Sequence, residues 1–127
     1  MARLHHLALG TQDVGKLAHF YCTALELTEL ARHDDEAGEL RSVWLDLGGS
    51  VLMIEHTQES PRRVEGIGAG PFLIAFAVSA EERTRFEQRL TDAGSSIESR
   101  SNWTSYTRDP DGNRIAISCY ALPLVNA

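Results

Sequence analysis

The sequence lays out one order of elements twice, so it calls for a fold in which two copies of a small unit share a core. Leu4 to Gly10 is a short, mostly apolar run ended by the polar pair Thr11-Gln12, which predicts a strand. Asp13 is a good helix N-cap, and Leu17, Phe20, Tyr21, Ala24 and Leu25 recur at helical spacing, so a helix is expected from Val14 to Leu25. Thr28 to His33, Leu40 to Leu47 and Val51 to Thr57 read as three further strands. The stretch from Gln58 to Gly70 is polar and then glycine-rich, and reads as a linker. After it the order returns: a strand over Phe72 to Val78, a helix from Ser79 or Ala80 to about Ala93 closed by Gly94, then strands over Ile97 to Ser101, Trp103 to Arg108 and Arg114 to Cys119. The half-sequences themselves are only weakly alike. Leu122 to Ala127 is an uncommitted tail.

Two turns fix which side chains share a face. Gly48-Gly49 suits the positive φ angles of a two-residue hairpin, and pairing Leu47 with Ser50 sets Trp44 opposite Met53 and Ser42 opposite Glu55. Val43, Leu45, Leu52 and Ile54 then occupy the other face, where an apolar surface meets the first helix, so Glu55 points away from the helix layer. The second turn is Asp109-Pro110-Asp111-Gly112-Asn113, in which proline sets one corner, aspartate and asparagine tolerate unusual backbone angles and glycine supplies a positive φ. In the strand after it, Ile115, Ile117 and Cys119 alternate with Arg114, Ala116 and Ser118, the pattern of a half-buried antiparallel strand.

Composition narrows the function classes. With 18 acidic against 12 basic side chains and a net charge of −6, the chain is a poor partner for nucleic acid and mildly favours neutral or cationic ligands. No apolar run approaches the roughly 20 residues of a membrane span, and Met1 to His6 lacks the apolar core of a signal peptide, so a cytoplasmic protein is expected. Cys22 and Cys119 have no CxxC partner and read as buried free thiols, although a disulfide is not excluded. Gly66-Ile67-Gly68-Ala69-Gly70 precedes a strand and not a helix N-terminus, which argues against a phosphate cradle.

The Asp109 to Asn113 turn with its following strand resembles the C-terminal signature of the vicinal oxygen chelate superfamily. That superfamily contains glyoxalase I, extradiol dioxygenases and the bleomycin and fosfomycin resistance proteins. His6-Leu7-Ala8-Leu9, Asp13 seven residues after His6 and the pair Phe20-Tyr21 add to the likeness. The resemblance implies an α+β fold of two βαβββ modules, about 1–60 and 70–121, forming a curled mixed sheet around a cup in a single domain over residues 1–127. It also implies four metal positions, one from each of four strands, and they fall here on His6, Glu55, Leu73 and Ala116. Leucine and alanine donate nothing, and two protein ligands rarely hold a divalent metal against water.

The expectation is therefore a small-molecule-binding protein with an incomplete metal site and no cofactor, sequestering a ligand as the resistance proteins do. The alternative is a lyase, isomerase or dioxygenase in which His6 and Glu55 act as general base and orienter, with a weakly held divalent metal or none. Trp44 and Met53 are expected to line the cup, with Trp103 or Tyr106 joining them and Leu73 and Ala116 completing the wall. His5, His19, His33 and His56 are weaker candidates, because alternation turns His5 and His56 away from the cup while His19 sits on a helix and His33 near a loop. The resemblance further implies modules paired within one chain or between two, and for a chain of this length a homodimer.

Overall fold

The computed structural model describes residues 1–122, so the predicted tail lies outside the described residues from Pro123 onward. The elements run β1 (His6–Thr11), α1 (Val14–Leu25), β2 (Glu29–Asp34), β3 (Leu40–Asp46), β4 (Val51–His56), β5 (Ile74–Ala77), α2 (Arg83–Asp92), β6 (Ser99–Arg100), β7 (Thr104–Arg108) and β8 (Arg114–Ser118). Each βαβββ unit forms its own four-stranded mixed sheet, ordered β1-β4-β3-β2 in the first and β5-β8-β7-β6 in the second. This is the expected α+β architecture. Neither sheet closes on itself, and β1 and β5 are edge strands. Among the described residues no helix is long and apolar enough to cross a membrane.

Helix α1 starts because Asp13 accepts the backbone N–H of Lys16 at 3.0 Å, and it ends with Glu26 in the left-handed region at φ 59. Its buried face holds Val14, Leu17, Ala18, Phe20, Tyr21, Ala24 and Leu25. That face meets Val43, Leu45, Leu52 and Ile54, all fully buried, each contributing about 1.5–3 kcal/mol of transfer free energy. The hairpin register is the expected one: Leu47 N–H donates to Ser50 at 2.9 Å, Trp44 pairs with Met53 and Ser42 with Glu55. Gly48 and Gly49 take φ 78 and 119, angles that a side chain would strain.

The second unit repeats the logic with shorter elements. Ser79 and Glu82 form a reciprocal capping box, each side chain accepting the other's backbone N–H, and regular helix begins only at Arg83 rather than at Ser79 or Ala80. Strand β5 begins at Ile74 and not Phe72, and β6 is reduced to two residues, although Glu98 and Ser101 still bond across to Tyr106 and Thr104. Both cysteines are free thiols, only partly buried.

The two units share one apolar core, in which Phe86 and Leu90 of α2 and Ile115 and Ile117 of β8 join the side chains around α1. Its polar centre is Asp109. One carboxylate oxygen accepts the backbone N–H groups of Asp111 and Asn113, both at 3.0 Å, and the other accepts the Asn113 amide at 2.8 Å and the Tyr21 hydroxyl at 2.6 Å. The Phe-Tyr pair of the first unit is thus tied to the Asp-Pro-Asp-Gly-Asn turn of the second. Burial and the neighbouring Asp109 hold the Tyr21 hydroxyl well above its ordinary pKa, so it stays a neutral donor. Burial also pushes the Asp109 carboxyl up, against its four hydrogen bonds, which favour the ionised form.

Candidate functional site

With helices covering one face of each sheet, the other face is left for chemistry. In the first sheet, alternation and register put His6, Ala8 and Gly10 of β1, Met53 and Glu55 of β4, Ser42 and Trp44 of β3, and Ala31 and His33 of β2 on this open face. In the second it carries Ala75 and Ala77 of β5, Arg114, Ala116 and Ser118 of β8, and Thr104, Tyr106 and Arg108 of β7, with Leu73 just before β5.

His6 and Glu55 share the open face but not a level. The parallel pairing of β1 with β4 sets Gly10 beside Glu55 and His6 beside Val51, an offset of four residues, or about 13 Å along the strand. Their side chains find other partners. The His6 ring meets His5, with the two Nδ1 atoms 2.9 Å apart and the rings edge to face, and both residues are exposed. Glu55 accepts the Ser42 hydroxyl at 3.1 Å. Ser42 itself is buried.

The four positions of a superfamily metal site therefore offer one imidazole, one carboxylate and two apolar side chains, at separate levels of the face. Among the described residues no three His, Cys, Asp or Glu side chains gather where a metal could be held. As a donor set these residues do not fit the superfamily's metal, and no chemical step is built on one.

Trp44 stands over Ser42's side of the sheet, half-buried, with His33 against it: ring centroids 4.8 Å apart, the planes at 61°. Trp44 Nε1 and His33 Nε2 are both buried without a hydrogen-bond partner, an unusual pairing of unsatisfied groups. Met53 lies beside Trp44. His33, set aside on sequence as lying near a loop, stands within β2, where nothing local sets the register; irregularities on both sides of the 31–33 stretch bring it opposite Ser42, next to Trp44. Alternation within β2 was the only signal that could have found it.

On the second sheet Tyr106 pairs with Ala116, on the same face, and Ala116 is only 1% exposed. Trp103 precedes β7, is 48% exposed and packs edge-on to Tyr120 at 5.2 Å, apart from the open face.

The glyoxalase/bleomycin resistance protein/dioxygenase superfamily model matches residues 3–117. Among curated protein sequences none matches. Solved structures with the same fold include a fosfomycin resistance protein FosX from Listeria monocytogenes, in complex with Mn(II) and 1S,2S-dihydroxypropylphosphonic acid. It is 19% identical, with a TM-score of 0.79 over 96% of this chain and 95% of that one. A glyoxalase/dioxygenase from Nostoc punctiforme is 25% identical, with a TM-score of 0.78 over 94% and 92%. TioX from Micromonospora sp. ML1 is 20% identical, with a TM-score of 0.67 over 92% and 98%.

Proposed function

Because the chain belongs to the glyoxalase/bleomycin resistance protein/dioxygenase superfamily, we propose that it binds a small molecule on the open faces of its sheets and works without the full metal site. One observation carries this reading: Trp44 Nε1 and His33 Nε2, buried and unpartnered, are two hydrogen-bonding groups that a ligand would satisfy. The Trp44 ring offers a flat, polarisable surface for an aromatic or cationic ligand, and the ionisable Glu55 nearby favours the cationic one. Met53, Tyr106, Leu73 and Ala116 supply the walls, whereas Trp103, packed on Tyr120, stands apart from them. Leucine and alanine at two of the four metal positions speak for sequestration over metal-dependent turnover.

The test is metal content together with binding. The purified protein is expected to carry no stoichiometric, tightly bound divalent metal, and a Trp44→Ala variant to bind its ligand about 1–3 kcal/mol more weakly, with Trp44 fluorescence reporting the complex. About one metal per chain, lost in His6→Ala, would overturn the metal-free reading. Unchanged affinity with lowered stability in Trp44→Ala would return that ring to the core.

A second reading is favoured by the Mn(II) seen in FosX. In it the chain is a lyase, isomerase or dioxygenase with His6 and Glu55 as the catalytic pair and a weakly held metal; turnover that rises with added Mn(II) and disappears in Glu55→Gln would favour it. For assembly we propose a homodimer, one domain per chain, because each sheet leaves a face open and an edge strand unpaired within its sheet. A light-scattering mass near 14 kDa at micromolar concentration would exclude the dimer.

A further inference from the structure

A cavity of about 560 Å³ whose lining includes none of His6, Glu55 and Trp44 lies at the seam between the two units, bounded by the edge strands β1 and β5, the chain from Thr57 to Val64 and the turn before β8. Of the ligand contacts predicted for the open faces, it shares Leu73 alone. Leu7, Leu9, Val64, Phe72 and Ile74 give it an apolar body. Such a volume and lining suit a small organic ligand.

Its polar end is built from two opposite charges. Asp111 and Arg114 both line the cavity, and Asp111 Oδ2 and Arg114 Nε are both buried without a hydrogen-bond partner, so the two do not satisfy each other at these atoms although only Gly112 and Asn113 lie between them in the chain. Each is held by its surroundings. The Arg114 guanidinium lies over the Phe72 ring, 4.5 Å from its centroid. Asp111 sits in the turn whose backbone is bound by Asp109, its own N–H donating to Asp109 Oδ1 at 3.0 Å. A guanidinium and a carboxylate that line one cavity, neither hydrogen-bonded by another side chain among the described residues, call for a ligand with the complementary acceptor and donor.

We propose that the seam cavity is a second binding site, for a zwitterion of the α-amino-acid class with an apolar side chain. The carboxylate accepts from the Arg114 guanidinium, the ammonium donates to the Asp111 carboxylate, and the side chain lies along the Leu7, Leu9 and Ile74 wall. A simple anion meets repulsion from Asp111 and a simple cation meets it from Arg114. Glu59 and Arg62, which also line the cavity, add one charge of each sign and keep that balance.

The experiment is calorimetric titration of the whole chain with L-phenylalanine, 3-phenylpropionate, which lacks the ammonium, and 2-phenylethylamine, which lacks the carboxylate. The expected result is saturable binding of L-phenylalanine at one site per chain, with each analogue at least tenfold weaker. Arg114→Ala and Asp111→Asn should each weaken L-phenylalanine at least tenfold, and Glu36→Gln, in an exposed loop, should leave it unchanged. Absence of saturable binding, analogues that bind as well as the amino acid, or full affinity in Asp111→Asn would overturn the proposal. Should Arg114→Ala fail to fold, judged by its melting curve, Asp111→Asn decides alone.

Discussion

In the first sheet the helix-facing side chains are Val43, Leu45, Leu52 and Ile54, and in the second they are Ile74, Phe76, Ile115 and Ile117: different residues, the same apolar role. The open faces do not match in this way. The first carries His6 and Glu55 at two of the four metal positions, with Ser42, His33 and Trp44 around them, whereas the second carries Leu73 and Ala116 at the other two, with Ala75, Ala77, Thr104, Tyr106, Arg114 and Ser118 around them. The contrast separates two demands on one strand. Packing against a helix constrains every second residue to be apolar, whereas the alternate residues differ in chemistry between the units even where, as at Ser42 and Ala116, they are buried. In this chain the first unit keeps an imidazole and a carboxylate at its two metal positions, and the second has apolar side chains at its own.

The equal half of the comparison can be broken by truncating helix-facing residues. Ile54→Ala and Ile117→Ala should each cost about 2–5 kcal/mol in urea denaturation, because both side chains are fully buried in one shared core. A loss confined to one variant would mean that the units do not share a core energetically. The unequal half is sharpened by exchanging polarity. Ala116→Glu puts a carboxylate at a buried position with no donor assigned to it and should cost about 2–4 kcal/mol, while Glu55→Ala, which frees only the Ser42 hydroxyl, should cost under about 1.5 kcal/mol. If the two prove equal, the open faces do not differ as described. Recovery of Ala116→Glu on adding Mn(II) would show that a metal can be restored to the face.

Tyr21→Phe tests the tie between units. Removing the hydroxyl that Asp109 accepts at 2.6 Å should cost about 1.5–3 kcal/mol, the range for a bond to a charged group, with the fold retained. No measurable loss would mean that solvent replaces the bond. The smallest effect expected is a pH slope. Because burial raises the Asp109 pKa above the ordinary aspartate value of about 3.9, the folded chain holds that proton more tightly than the unfolded one. Its contribution is complete below about pH 4 and is lost as pH rises through the raised value. Urea midpoints of wild type should therefore fall relative to Asp109→Asn as pH rises from about 4 toward neutrality; a rise would reverse the sign and refute the burial argument.

Much of this molecule can be read locally. The span of α1, the Gly48-Gly49 register that sets Trp44 beside Met53 and Glu55 beside Ser42, the helix-facing apolar set and the Asp109 to Asn113 turn all follow from helical spacing, strand alternation and turn chemistry. Each is decided by residues close in sequence. What the sequence could not determine are contacts whose register no turn dictates. Tyr21 meets Asp109 across 88 residues because α1 packs against both units. His33 reaches Trp44 through irregular pairing of β2 with β3, and His6 stands four residues from the level of Glu55 because parallel β1 and β4 are joined by a long crossover rather than a hairpin. Alternation assigns a side chain to a face; only the packed sheet decides its height on that face, and a binding site needs both.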